Sequence, residues 1–577
     1  MEKLEISIRE RPVHLSKLGT NEISGTLPLD VTGTESRESK PQEFPHDMSV
    51  IQSLHNCTLN PWGSHTISLS PQLAQRAMDY RFSVMTPRML PTSNVKNPYL
   101  HSWFGMSLHD DALFTALASA SLSHQKVKGL LSAESFTASN GEDEATLATC
   151  YKATIKAVND AMQDPKRATT DATILAILMT IEMPAVRGLR NWSQQSPFQA
   201  PLRNLQWLNV HGARQPHIPH QDGLCRILQL RGGLYNIKTP GVAAAISYRV
   251  LVNSTQTLSP PPISFFPLCE TESPPMIAHA RAEKIDSLGN FGLSDNLTAV
   301  LQELAAYTYS IQDYLDGDML AFDSQAMCDQ RNLAQYHLMS LIPMWNAHDW
   351  DSMHEACRLA ATIYSMGVTF PISAVGAPFE MLINLLKFEL QSMNLSSLLS
   401  IYPKSDILIF WILTMGGIAA TGHSERDWFL KMLSENSYLS RSVKWEDMKS
   451  NLAKVLWLDS ACDMAGKQLW SEACARRHIK LQREVAQSHP RTAVPCAQCH
   501  FKKIKCDKGR PCANCVKYGV KCCPKSAESH SIVQILPGRQ RPCETCRRRR
   551  VKCDKGTPCK RCLDGGVSCV YQDIHRG

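Results

Sequence analysis

Twelve cysteines carry the clearest chemistry in this sequence. Cys496, Cys499, Cys506, Cys512, Cys515 and Cys522 are spaced C-x2-C-x6-C-x5-C-x2-C-x6-C. Cys543, Cys546, Cys553, Cys559, Cys562 and Cys569 repeat that spacing 47 residues further on. Both copies contain Lys-Cys-Asp-Lys-Gly-x-Pro-Cys, at Lys505–Cys512 and Lys552–Cys559, so the region is an internal duplication. A structural zinc takes four thiolates in a tetrahedron, and one zinc would leave two of six cysteines unused. Two zincs offer eight coordination places, which six sulfurs fill only if two of them bridge. The half-repeat C-x2-C-x6-C, present twice in each copy, suggests one bridging ligand from each half.

This spacing resembles the DNA-binding domain of fungal binuclear zinc-cluster transcription factors. The resemblance implies four Zn²⁺ ions, two per cluster, and as bridges the first cysteine of each half: Cys496 and Cys512, then Cys543 and Cys559. Pro511 and Pro558 lie in the loop between halves, where the family also carries proline. Iron–sulfur clusters use four cysteines. RING-type ligases need a longer gap before the third ligand, and a metallothionein-like store needs neither strict spacing nor so much arginine.

Between the second and third cysteine of each copy lie basic runs, HFKKIK and RRRRVK. A short helix starting near each second cysteine would turn Ile504 and Val551 toward the metal. It would present Lys502, Lys503 and Lys505, and Arg547, Arg548, Arg549, Arg550 and Lys552, to double-stranded DNA. Basic side chains on a metal-fixed helix are how major-groove readers are built; the plainer reading is a solvated basic face or a nuclear-import signal. The second halves, VKYGVK and LDGGVS, are less basic and suit phosphate contacts at most. The resemblance implies that Lys502-Lys503 and Arg549-Arg550 read a CGG-type triplet, and Lys and Arg pair naturally with guanine O6 and N7. The helical register that would choose within each pair is not fixed by sequence.

The composition around these strings agrees with such a role. Residues 491–577 carry 20 Lys/Arg against 6 Asp/Glu, a net of +14, and 13 of the 21 cysteines. The other 490 residues carry 41 against 47, a net of −6. Thiols so placed in a reducing compartment read as metal ligands. The first residues, MEKLEISIRERP, have charges where a secretory apolar core would stand, so an intracellular protein is expected. No apolar run approaches the ~20 residues of a membrane-spanning helix. Ile407–Ala420 is the longest and reads as a buried core helix.

What must support the clusters is an all-α body. Helical periodicity runs from about 95 to 487. It covers His109–His124, Ala145–Met162, Asp171–Met183, Leu293–Tyr314, Ser352–Met366, Phe379–Leu390, Ile407–Ala420, Trp445–Leu458 and Lys467–Val485. Ser259–Pro267 and Glu272–Pro275 read as loops. The body shows no nucleophile elbow, phosphate-cradling glycine loop or His-Glu-x-x-His pair, so no enzyme is expected. His217, His220 and Asp222 read as a polar loop capping a helix that starts near Gly223. Trp411, Trp428, Trp445, Trp457 and Trp470 read as core aromatics, and Cys150, Cys225 and Cys357 as small hydrophobes. The stretches NPYLHSWFGMSLHDDALFTALASASLSHQ, DGLCRILQLRGGLYNI and IFWILTMGGIAATGHSERDWFLKML are similar to the helical regulatory domain of the same transcription factors. That likeness spans roughly 95–475.

The expected plan is therefore a disordered leader over 1–48, a connecting segment over 49–94 and the helical domain over 95–487. Cluster 1 follows over 496–522, a linker over 523–542 and cluster 2 over 543–569. It departs from most of the family in placing duplicated clusters after the helical domain, with no room for a coiled coil behind the second. The function expected is a nuclear transcription regulator that binds DNA, works with the transcription machinery or co-regulators, and has scope for homodimerisation. By the resemblance its targets belong to a secondary-metabolite gene cluster. The alternative is a co-regulator whose clusters bind a partner protein and not DNA. His500 stands where a basic residue is common, and Cys523 beside Cys522 is a spare or competing ligand.

Overall fold

Several helix starts in this chain are set by short polar side chains. Ser70 accepts the N–H of Leu73 ahead of α1 (Pro71–Tyr80), whose proline sits where no helical N–H is needed. Asp110 does the same for Leu113 at 2.9 Å ahead of α2 (Asp111–Ser132), and its second oxygen holds Arg167 at 3.0 Å. Thr170 caps α3 (Asp171–Ile181), in which every residue from Ala172 to Ile181 is buried. The computed structural model describes residues 70–91, 97–132, 141–181, 195–268, 287–291, 293–317, 323–341, 352–393, 405–435, 444–488, 495–523 and 542–571. The chain divides into two units, Met1–Met48 and Ser49–Gly577, and all described residues belong to the second. The leader over 1–48, the loop at Glu272–Pro275 and the linker over 523–542 (its two end residues apart) lie outside the described residues.

The fold is all-α, with no strand among the described residues. Nor is any described helix long and apolar enough to cross a membrane. The body packs around two apolar cores. One gathers Met78, Trp103, Phe114, Leu175, Trp207 and Val250; the other gathers Leu301, Tyr364, Leu386, Trp411, Phe429 and Leu469. Between them Leu208, Tyr248, Leu251 and Val252 meet Met339, Phe370 and Ile372. Gln206 and Trp207 at this seam are left-handed at φ 53° and 56°. Buried Arg331 holds this turn through the carbonyl of Leu205 at 3.0 Å and the side chain of Gln206.

Two of the stretches that resemble a regulatory domain have plain structural jobs. Leu230-Arg231-Gly232-Gly233-Leu234 ends α4 (Ile218–Arg231) with a left-handed Gly232, where a Cβ would strike Asn236 at 2.5 Å. Arg231 reaches Asp171 at 3.0 Å, and that carboxylate also takes the N–H groups of Lys238 and Thr239. In α5 (Ser405–Ala419), Gly416 and Gly417 let Phe429 and Leu469 approach where a Cβ would lie 2.4 and 2.8 Å away.

Several boundaries differ from the sequence reading. Helix begins at Pro71, within the expected connecting segment, because Ala74, Ala77 and Met78 are buried. The segment Trp445–Leu458 is helical only to Leu452; Val455–Leu458 is non-helical, and the carbonyl of Leu456 receives the indole N–H of Trp411 at 2.7 Å. The next helix runs from Asp459 to Ser488, eight residues ahead of Lys467.

Candidate metal centres and nucleic-acid interface

Each half-motif is one small helix begun by its first cysteine, not near its second as expected. Lys502, Lys503 and Lys505, and Arg549, Arg550 and Lys552, therefore lie beyond the helix end. The four helices are α6 (Ala497–Phe501), α7 (Ala513–Lys517), α8 (Glu544–Arg548) and α9 (Lys560–Asp564), with Cys496, Cys512, Cys543 and Cys559 as N-caps. The sulfurs of Cys496, Cys512 and Cys543 accept the N–H of the second cysteine of their half at 3.4 Å. The C-x2-C spacing thus places two sulfurs on one side of a single turn.

The string shared by both copies closes the loop between halves. Asp507 accepts the N–H of Ala513 at 3.0 Å, and Asp554 that of Lys560 at 3.1 Å, each at the first residue of the next helix. Lys508 and Lys555 are left-handed at φ 62° and 64°, and their N–H groups donate to the third cysteine sulfurs at 3.4 Å. The Arg510–Pro511 and Thr557–Pro558 bonds are cis. These aspartates escaped the sequence reading, although their presence in both copies marks them.

The sulfurs converge in overlapping groups. In cluster 1, Cys496, Cys499, Cys506 and Cys512 form one four-sulfur group, and Cys496, Cys512, Cys515 and Cys522 a second. The two groups share Cys496 and Cys512, the pair that the resemblance assigns as bridges. Nearest sulfurs stand at 3.7 Å (Cys496–Cys512), 3.6 Å (Cys496–Cys515) and 3.4 Å (Cys499–Cys512). A tetrahedral zinc with ~2.3 Å Zn–S bonds has edges of about 3.8 Å, so the spacing fits the ion. In cluster 2 the four-sulfur group is Cys543, Cys546, Cys559 and Cys562, with Cys543–Cys559 at 3.7 Å. Cys553 groups there with Cys559 and Asp554, and Cys569 accepts the N–H of Cys559 at 3.2 Å. The donor set suits two Zn²⁺ per cluster.

Without metal, such crowding cannot ionise every thiol. The N–H of Cys546 and neighbouring thiols bring Cys543 down to about 6, against burial. Burial raises Cys512, but the N–H of Cys515 and adjacent thiols outweigh it and bring this group also to about 6. Burial and thiol neighbours push Cys499 and Cys515 up. The thiolate is thus favoured at Cys512 in cluster 1 and at Cys543 and Cys553 in cluster 2, and a bound Zn²⁺ would deprotonate the rest.

All four helices end alike, and here the halves part. The N–H of Ile504, Val520, Val551 and Val567 bonds back five residues to the second cysteine of its half, at 3.0–3.1 Å. This closure requires a left-handed residue just before, usually glycine. Second halves have Gly519 and Gly566 there; first halves have Lys503 at φ 50° and Arg550 at φ 55°. The backbone thereby distinguishes Lys503 and Arg550 from their neighbours. Lys503, Lys505, Arg547, Arg548, Arg549, Arg550 and Lys552 are exposed. Lys502 is half-buried, its ammonium 5.3 Å from the Tyr518 ring. Val551 packs on its cluster, whereas Ile504 is 36% exposed. Cys523 gives its carbonyl to the N–H of Ala497 at 2.9 Å and lies outside both sulfur groups of cluster 1.

The body's candidates are structural. His217 caps α4 by accepting the N–H of His220 at 3.3 Å, so that helix starts at Ile218 and not near Gly223. Cys150 and Cys357 are buried, Cys225 half-buried, and burial raises the Cys150 thiol to about 11.

Comparison with known families covers both parts. Residues 76–449 match the fungal specific transcription factor domain. Residues 494–530 and 541–577 each match the fungal Zn(2)-Cys(6) binuclear cluster domain. No curated protein and no solved structure matches the chain.

Proposed function

The chain belongs to the family of fungal specific transcription factors, and on that premise we propose that it reads double-stranded DNA with both zinc clusters of one polypeptide. Zinc is held by Cys496, Cys499, Cys506, Cys512, Cys515 and Cys522, and by Cys543, Cys546, Cys553, Cys559, Cys562 and Cys569. Cys496 with Cys512, and Cys543 with Cys559, are the bridging pairs. Lys503 and Arg550 are the principal base readers, with Lys502 and Arg549 beside them. Lys505, Arg547, Arg548 and Lys552 complete the basic face. The preferred sequence is a CGG-type triplet, since these side chains match guanine O6 and N7. Lys517 and Lys521 serve cluster 1 as phosphate contacts, where cluster 2 has Asp564 and Ser568.

One observation carries this reading. Lys503 and Arg550 hold a left-handed backbone that glycine holds in the other halves. A long basic residue there is conformationally unfavourable, and such strain marks a position selected for its side chain. The acidic helical domain regulates, the protein acts in the nucleus, and co-regulators or a second copy are its protein partners. Its proposed targets are secondary-metabolite gene clusters.

Twenty residues separate Cys522 from Cys543. As a flexible coil they span about 25 Å, and fully extended roughly 65–70 Å. Neighbouring major-groove sites on one face lie ~34 Å apart, within reach of one chain. Mobility-shift titration of the full chain on single and paired CGG triplets tests this. Paired sites should bind much more tightly, and Cys512→Ser or Cys559→Ser should each abolish that preference. A variant that keeps the preference with one cluster disabled refutes tandem reading; equal affinity for CGG and random DNA refutes base readout.

A further inference from the structure

Tyr518 lies in the second half of cluster 1, which carries none of the proposed base readers. It ends α7 as Lys502 ends α6, so the two occupy equivalent positions in the two halves. The fold brings these positions together. The Lys502 ammonium lies 5.3 Å from the Tyr518 ring centre, and Lys517 approaches the same ring at 5.8 Å. The ring is 51% exposed, whereas Lys502 is the one residue of the proposed reading set that is half-buried. A second tie crosses between the halves: Asn514 Nδ2 donates to the carbonyl of Lys505 at 2.7 Å.

We infer that Tyr518 is a positioning residue for DNA recognition by cluster 1, and the inference rests on the DNA-reading function proposed above. Its ring holds the Lys502 ammonium by cation–π attraction and fixes the lysine stem in one course. A lysine so held has less conformational freedom to lose when it meets a base or phosphate. Cluster 2 supplies the contrast, with Gly565 at the position of Tyr518 and Arg549 at that of Lys502. An arginine fork is planar and already organised for two-point bonding, so it has less need of an aromatic support. The second half of cluster 1 thus contributes to specificity through Tyr518, without touching a base itself.

The test uses the full chain with cluster 2 disabled by Cys559→Ser, titrated on a single CGG triplet and on random DNA. Tyr518→Ala should lower the ratio of the two affinities about two- to fivefold, the size expected of an exposed cation–π pair. Zinc content should not change. Tyr518→Phe keeps the ring and should retain the ratio. In a Lys502→Ala background, Tyr518→Ala should have no further effect, because the tyrosine acts through that lysine. An unchanged or raised ratio for Tyr518→Ala overturns the inference while leaving DNA reading intact, as does a Phe variant no better than Ala, or additivity with Lys502→Ala. A parent chain that does not discriminate CGG from random DNA overturns the reading and the inference together.

Discussion

The two clusters share a cysteine frame and its backbone turns and differ in the side chains that brace them. Cluster 1 ties its halves across the middle, through Tyr518 with Lys502 and Asn514 with Lys505. Cluster 2 organises its basic run from within the same half, where Glu544 lies 3.6 Å from Arg547 and 3.4 Å from Arg548. It is closed at its ends instead. Thr545 Oγ1 donates to the carbonyl of Ser568 at 2.7 Å, and Tyr571 donates to that of Gly556 at 2.9 Å. One end contact is common to both: Ala497 N–H to Cys523 and Glu544 N–H to Val570, each at 2.9 Å. Duplication has kept the metal geometry and the two left-handed basic residues of each copy, while the supports around them have diverged. What remains equal between the copies is therefore the better guide to shared function.

The largest effect should come from the sulfurs shared by two metals. Cys512→Ser and Cys559→Ser should each remove both zincs of their own cluster and leave the other pair bound, so zinc per chain falls by half. So small a core is folded by its metal, and the affected cluster should lose its structure. Element analysis of the purified chain checks this. Loss of one zinc only would mean that the replaced sulfur does not bridge.

Next in size are the left-handed residues. Lys503→Ala and Arg550→Ala should each weaken binding to the preferred site by about 1–3 kcal/mol and relax discrimination at one guanine. Glycine at either position separates side chain from backbone. Lys503→Gly and Arg550→Gly should lose the same discrimination while relieving roughly 1 kcal/mol of backbone strain. Mobility-shift competition reads the first quantity, and the zinc-chelator midpoint the second. A glycine variant that binds DNA as well as the parent would leave the basic side chain without a purpose.

These positions show what could be read before a structure existed. Ligand spacing is local, so twelve cysteines in two identical strings declare their chemistry in one dimension. The left-handed turn was also written there, but only in the half-repeat: Gly519 and Gly566 align with Lys503 and Arg550, and lysine and arginine are not turn residues by themselves. Ser70 and Pro71 carry an ordinary helix-start signal within the stretch expected to be a connecting segment. The buried run Val455–Leu458 has no periodicity to separate helix from extended chain. Gln206 and Trp207 owe their left-handed backbone to tertiary partners far along the sequence, Arg331 and Met85 among them. The contact of Tyr518 with Lys502 exists only once two metal-bound halves face each other, and no local pattern announces it.

The smallest effect sharpens the contrast between the supports. Glu544 has Ala497 as its counterpart in cluster 1, so only cluster 2 sets an acid against its own basic run. The Arg547 and Arg548 side chains are 56% and 80% exposed, and ion pairs so open contribute less than about 1 kcal/mol to stability. Glu544→Ala should therefore leave zinc content and fold nearly unchanged. Its consequence is electrostatic. With the carboxylate gone, Arg547 and Arg548 are released to phosphates, and each added phosphate contact steepens the salt dependence of binding by about 0.9 in log–log slope. Affinity for random DNA should rise more than affinity for a CGG site, so the specificity ratio should fall. Binding isotherms of the Glu544→Ala chain on both DNAs across a salt series measure slope and ratio together. A gain confined to the CGG site would show that the carboxylate restrains base contacts directly, and not merely the phosphate contacts around them.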